Sequence, residues 1–380
     1  MVTSFYSGTF DPFTSQDAEI VVNELAGCNK KVIIGIELDS EKEPLFTVAQ
    51  RIEMVKKSIQ WYAKEYCEMF FDGSWQEDYD MIMQNFTVVS YHGLPVHEAK
   101  KRGAGYLLVP VLDIMNPEYD AKFELCEQIA KRSSVYSIRV SPMSTNILPE
   151  KFEQYSRLCY KHHEYSALAC YVTPPVHNMM MEDLLEKQYN DCCRQSGILW
   201  SDFCATMSTR AYHNLSHIAY MLDKYREYKD GADEKFDFLK EQTFEAAIFF
   251  HDYVADDEEK SFIASRLPES AKGLFMATRH FEPFGRERNK YEQLIHDLDL
   301  AIFCDLELYK QYVFSVREEY IHVEYSEYVK QRNKVLNQLK KVIETETLFT
   351  KEQKYNAMLN IRREQKTLEE KAWKTAEIMK

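Results

Sequence analysis

The chain reads as two domains of different class: an α/β domain with a doubly wound parallel sheet, then an all-helical domain. Three observations predict this. Over about the first 150 residues, short β-prone runs alternate with helical ones, the order that builds a parallel sheet. At Tyr171–Val176 the pattern breaks on a proline pair. From Met181 onward helix follows helix, with glycine only at Gly197, Gly231, Gly273 and Gly285. A length of 380 residues also favours two domains over one.

The elements follow in order. Val2–Tyr6 is β-prone and enters the turn Ser7-Gly8-Thr9-Phe10-Asp11-Pro12. Ser15–Ala26 has helical spacing, and Lys31–Leu38 (KVIIGIEL) is apolar enough for a strand covered on both faces. Thr47–Glu65 is a long amphipathic helix, Phe86–Ser90 a strand, Pro95–Arg102 a helix and Tyr106–Val111 a strand. Tyr171–Val176 is expected to be extended, because proline disfavours helix at its own position and the one before. The expected division is 1–165 for the α/β domain, 166–182 for a linker and 183–380 for the helical domain. The tail Thr350–Lys380 has the pattern of a charged, solvated helix.

A formal net charge of −14 argues against nucleic acid or an anionic membrane as the main partner. A local basic pocket for a small phosphate is compatible with it. Nine scattered cysteines without a CxxC pair read as reduced thiols. The opening MVTSFYSGTFDPF lacks the basic and long apolar parts of a signal peptide, and no apolar run approaches membrane-spanning length. A cytoplasmic protein with no membrane partner is expected.

Chemistry concentrates in the second half, at Tyr212–His217 (YHNLSH), His251-Asp252 and Asp297-Leu298-Asp299. Imidazole nitrogen together with carboxylate oxygen suits a divalent first-row metal. A four-residue spacing on a helix would set His213 and His217 on one face. His251-Asp252 closes the apolar run Phe244–Phe250, and Asp299 lies in the apolar stretch Leu298–Phe303. Ionisable groups at the end of a buried stripe need partners, and a metal supplies one. Each element alone has an ordinary reading as a core histidine or a capping carboxylate; the ordered set points to a metal site. His280 is a candidate for phosphate or a second ion. Arg210, Lys260, Arg279 and Arg317 are candidate phosphate-binding cations, since a guanidinium fork matches phosphate oxygens, though surface pairing explains any one of them equally well.

Residues from about Arg210 to Arg363 resemble the predicted metal-dependent HD-superfamily phosphohydrolases. The matching stretches are RAYHNLSHI, AIFFHDYVADDEEKS, ATRHF, LIHDLDLAIF, VREEY at Val316–Tyr320, and AMLNIRRE. The resemblance implies an all-α HD domain that hydrolyses a phosphate ester. It also implies His217, His251, Asp252 and Asp299 as ligands of one or two Mn, Fe, Ni, Co or Mg ions. Asp297 is then an alternate ligand, a group behind the ligands, or part of a second metal or phosphate site with His280. The YHNxxH spacing is similar to that of cyclic-nucleotide phosphodiesterases, which implies His213 as a general acid; a hydrogen bond that orients a metal ligand is the alternative.

The first half resembles nucleotidylyltransferases, most closely phosphopantetheine adenylyltransferase, over roughly residues 1–160. The likeness rests on SGTFDPFT, on Lys42–Thr47 leading into Arg51-Ile52-Glu53, on Gly93–Gly103, Asn116–Asp120 and Ser141–Thr145. It implies a nucleotide site of which Gly8, Thr9, Thr14, Asp17, Lys42 and Ser144 are remnants. Asp17 stands where the family carries its second histidine, at a helix N-terminus; a carboxylate there stabilises the helix but repels a triphosphate. The family's arginine-bearing turn reads Val109-Pro110-Val111-Leu112. Adenylyl transfer is therefore expected to be lost, leaving ligand binding or scaffolding. The resulting expectation is metal-dependent hydrolysis of a nucleotide or related small molecule. A working nucleotidyltransferase and a non-catalytic ligand sensor or interaction protein are the rivals, and a homo-oligomer is left open.

Overall fold

A computed structural model describes residues 2–27, 30–39, 43–70, 75–111, 117–140, 147–207, 209–231, 238–253, 269–278, 287–306 and 308–378. The chain divides into two compact units, Met1–Asp183 and Leu184–Lys380.

The first unit holds a five-stranded sheet of β1 (Val2–Gly8), β2 (Lys30–Glu37), β3 (Phe86–Tyr91), β4 (Tyr106–Pro110) and β5 (Tyr136–Val140). All pairs are parallel and the spatial order is β3-β2-β1-β4-β5. Helices connect them: α1 (Ser15–Leu25), α2 (Val48–Phe70) with α3 (Trp75–Gln84), α4 (Pro95–Lys101) and α5 (Pro117–Arg132). Five consecutive residues of β2, Val32 to Ile36, are buried, as a strand covered on both faces requires. Gly35 is forced by packing, since a Cβ there would lie 2.3 Å from the Phe5 ring. Winding outward from β1 to β3, then from β4 to β5, puts the topological switch between β1 and β4. Ligands of open α/β sheets bind beyond the strand ends at such a point.

The unit closes with α6 (Pro149–Lys161), α7 (Tyr165–Leu168) and the start of α8 (Pro174–Cys192). The expectation that Tyr171–Val176 is extended fails at Pro174, where α8 begins. Proline lacks an N–H that the first helical turn does not use, so the pair starts a helix instead of preventing one. The residues expected to form a linker thus include α7 and half of α8, and the division between units falls inside α8.

The second unit is helical: α9 (Trp200–Met207), α10 (Leu215–Asp230), α11 (Phe238–Phe250), α12 (Glu269–Ala277), α13 (Lys290–Leu300), α14 (Leu308–Glu319), α15 (Tyr325–Glu346) and α16 (Lys351–Ile378). Asn289 and Glu292 form a capping box at the start of α13, satisfying N–H groups that a helix end leaves open. A core of Leu300, Phe303, Tyr312, Leu336, Ile343 and Ile361 joins α13 to α16. Among the described residues no helix is long and apolar enough to cross a membrane.

Candidate functional site

Two regions gather chemistry, one in each unit. In the first, Gly8 ends β1 and cannot take a side chain, because a Cβ would meet the Phe10 ring at 2.7 Å. Thr14 caps α1 in a capping box with Asp17. Both oxygens of that carboxylate are engaged: Tyr6 Oη donates to Oδ1 at 2.6 Å, and the Thr14 N–H and Oγ1 donate to Oδ2 at 2.9 and 2.6 Å. Burial pushes Asp17 up to about 6, against the pull of those hydrogen bonds. Thr9 Oγ1 donates to Glu153 Oε2 at 2.6 Å, and Arg51 Nη1 donates to the Thr9 carbonyl at 2.9 Å. Asp11 accepts the Leu45 and Phe46 N–H groups at 2.8 and 3.0 Å and pairs with Arg157. The remaining cavity is small, about 50 Å³, and its wall carries Asp11, Glu37 and Glu153 together with Arg51 and Arg157.

In the second unit His217, His251, Asp252 and Asp299 bring one donor atom each to within 4.8 Å of one another. Three elements place them. His217 lies in the first turn of α10, whose N-cap Asn214 accepts the Ser216 and His217 N–H groups. His251 and Asp252 follow the last residue of α11 directly. Asp299 lies in the last turn of α13.

The two imidazole Nε2 atoms face each other at 3.1 Å. His251 Nε2 is 2.8 Å from Asp252 Oδ2, and His217 Nε2 is 3.2 Å from Asp299 Oδ1. His251 Nδ1 lies 2.7 Å from the Ile248 carbonyl. A carbonyl only accepts, so Nδ1 carries the proton and a neutral ring turns the Nε2 lone pair towards the carboxylates. Lone pairs that converge in a buried place need a cation between them. Burial opposes charge on His251, but Asp252 and Asp299 outweigh it and raise the ring to about 9. Burial lowers His217, with Asp299 resisting. Burial alone would raise Asp252, yet His251 holds it well below the usual carboxylate range. Donors of one ion at about 2.1 Å stand about 3 Å apart, and two nitrogens with two oxygens suit a divalent first-row metal. The residues fit such an ion.

Around the cluster, Tyr212 Oη is 3.0 Å from His217 Nδ1. Glu319 accepts from His213 Nδ1 at 2.8 Å and from the N–H groups of Tyr212 and His213. Burial would raise Glu319, but these donors hold it down to about 2. For His213, burial is outweighed by the Glu319 hydrogen bond and the Asp252 charge, and its pKa is raised. His213 Nε2 stands 3.9 Å from Asp252 Oδ2. Asp252 and Asp299 of the cluster, with Tyr212 and His213, line a cavity of about 360 Å³, a size that takes a small ligand.

The cytidylyltransferase-like family matches residues 5–145. Those residues are a cytidylyltransferase-like domain. This domain is similar to phosphopantetheine adenylyltransferases: that of Oleidesulfovibrio alaskensis is 26% identical over 131 residues, 34% of this chain and 63% of the relative. That of Rhizobium rhizogenes is 30% identical over 120 residues, 32% of this chain and 62% of the relative. That of Lachnoclostridium phytofermentans is 27% identical over 155 residues, 40% and 82% respectively. The chain thus spans just under two thirds of the first two relatives.

Of the residues singled out in the cytidylyltransferase-like domain, Gly8, Thr9, Thr14 and Asp17 lie together between β1 and α1, while Lys42 and Ser144 fall outside the described residues. In the helical unit Lys260, Arg279 and His280 also fall outside them. Three expectations need correction. His213 does not share a helical face with His217, because α10 begins at Leu215 and His213 lies in the bend before it. Asp297 does not join the cluster: it accepts from Gln293 Nε2 and the Leu348 N–H, since two residues along a helix point to nearly opposite sides. Arg317 spends its guanidinium on the carbonyls of Tyr320 and Val323 and lies over the Tyr328 ring. Arg210 reaches the site differently from the expectation, donating to the Asp252 and Tyr253 carbonyls and so bracing the turn that carries a candidate ligand. Sequence reasoning gave no role to Glu153, Arg157, Tyr212 or Glu319, whose partners are up to 146 residues away or act through a hydroxyl.

Proposed function

We propose that the helical unit is an HD-type, metal-dependent phosphohydrolase acting on a small phosphate ester, a nucleotide or a related compound. The observation that carries this reading is the convergence of two imidazole nitrogens and two carboxylate oxygens at the wall of a ligand-sized cavity. His217, His251, Asp252 and Asp299 would hold the ion. A divalent ion there supplies Lewis acidity towards water and a counter-charge for phosphoryl oxygens.

The chain's own groups supply the rest. Glu319 orients His213 by accepting its Nδ1–H, and together with Asp252 it raises the ring's affinity for a proton on Nε2, beside the cluster. In hydrolysis the water oxygen bonds to phosphorus, the ester P–O bond breaks, the leaving oxygen takes the His213 proton, and the proton released by the attacking water restores His213. Tyr212 orients His217, and Arg210 holds the Asp252 turn.

For the cytidylyltransferase-like domain we infer ligand binding or scaffolding without adenylyl transfer. Support comes from Asp17 and Glu153, which put carboxylates where a triphosphate would need donors. ATP-dependent pyrophosphate release by the purified protein would overturn this part. The hydrolase reading is tested by elemental analysis and phosphate-ester hydrolysis on wild type and Asp252→Ala. Metal and activity in the wild type, both lost in the variant, are expected. A wild type that takes up no metal and stays inactive with Mn, Fe, Ni, Co and Mg would favour a ligand sensor.

A further inference from the structure

Beyond the metal cluster, the cavity wall is largely aromatic and aliphatic, with Phe303, Tyr312, Tyr328, Val316, Val335 and Leu339 among its lining residues. Polar groups of Thr278, Tyr320, Tyr328, Gln331 and Arg332 interrupt this wall; Tyr328 and Arg332, four residues apart on α15, share one helical face. Arg332 donates through Nε and Nη2 to Glu364 at 2.7 and 3.2 Å, and through Nη2 to Tyr312 Oη at 2.9 Å. Its Nη1 makes no hydrogen bond among the described residues. Tyr328 is buried, and its hydroxyl has no hydrogen-bond partner among the described residues. Buried donors are seldom left unspent.

The charge of Arg332 is already matched by Glu364, whose side chain is 1% exposed. A dianionic phosphate at this end would meet that carboxylate; a neutral acceptor would not. Flat walls favour a flat partner, and aromatic pairs add attraction beyond buried area. We propose that the part of the substrate remote from phosphorus is a planar heteroaromatic group bearing neutral acceptors, a nucleobase, read by Arg332 and Tyr328. This rests on the phosphohydrolase reading for the other end of the cavity. It excludes the long, flexible amide chain of a pantetheine phosphate, which offers no flat face to these walls.

Calorimetric titration of the full chain with the four common ribonucleosides tests the assignment without phosphate or turnover, with ribose and pantetheine as controls. At least one nucleoside is expected to bind about tenfold or more tighter than either control. Tyr328→Phe, which removes only the hydroxyl, should weaken it about fivefold. Leu339→Trp, which fills the cavity, should abolish it while leaving metal content unchanged. Nucleosides that bind no better than the controls, or binding untouched by both variants, would overturn the proposal. Glycerol phosphate hydrolysis, assayed alongside, separates the two readings. If esters are cleaved with no preference for a base, the hydrolase stands and the base site falls; nucleoside binding without any ester hydrolysis has the opposite meaning.

Discussion

Asp17 and Asp252 are both aspartates beside a helix end, and their surroundings give them opposite roles. Asp17 is enclosed by hydroxyl and N–H donors from Tyr6 and Thr14, and burial drives it towards its neutral form. Asp252 faces two imidazoles and a second carboxylate and is held ionised. The first arrangement is complete within the protein. The second is a set of electron pairs that only a cation brings together. Which of two aspartates is structural and which is poised for chemistry depends on whether its neighbours donate or accept.

The comparison is most severely tested by removing ligands. His217→Ala and Asp299→Ala should each lose bound metal and lower hydrolysis by about a thousandfold or more, as expected if the ion provides several kcal/mol of transition-state stabilisation. Retention of stoichiometric metal in both variants would show that the cluster is not its site. Asp17→Asn should leave hydrolysis alone and change stability. Because the native pKa of Asp17, about 6, lies above its unfolded value, protonation favours the fold. Its contribution is complete below about pH 4 and is lost as pH rises through about 6, a swing of about 3 kcal/mol. Chemical denaturation of wild type and variant across that range should show the swing only in the wild type.

His213→Gln should keep the metal and lower kcat about a hundredfold, with little change in KM. A loss of metal instead would make His213 a ligand. The smallest effect belongs to Glu319→Gln, expected to lower kcat about tenfold at unchanged metal content, since it orients His213 without touching substrate.

Much of the fold was legible because the alternation of strand and helix sets the order of a parallel sheet. The run KVIIGIE announced a strand covered on both sides. The proline pair misled because its meaning depends on position: the same residue that breaks a helix interior opens α8. At the candidate metal cluster, residue type and order drew attention to the four residues that the fold brings together. What sequence could not give was direction. A bend before Asn214 separates His213 from the face of His217, and a two-residue step sends Asp297 away from Asp299. Pairs such as Thr9 with Glu153 or His213 with Glu319 join residues more than 100 positions apart and leave no periodic trace.

The first turn is the part of a helix that costs most to nucleate, because several residues must be fixed before any hydrogen bond repays them. In α10 that turn is secured from outside by the Asn214 side chain and carries the His217 imidazole. An ion gripping His217 together with the ends of α11 and α13 would therefore act as a folding nucleus as well as a reagent. Metal supply would then set how much of the helical unit is folded, as well as how fast it works.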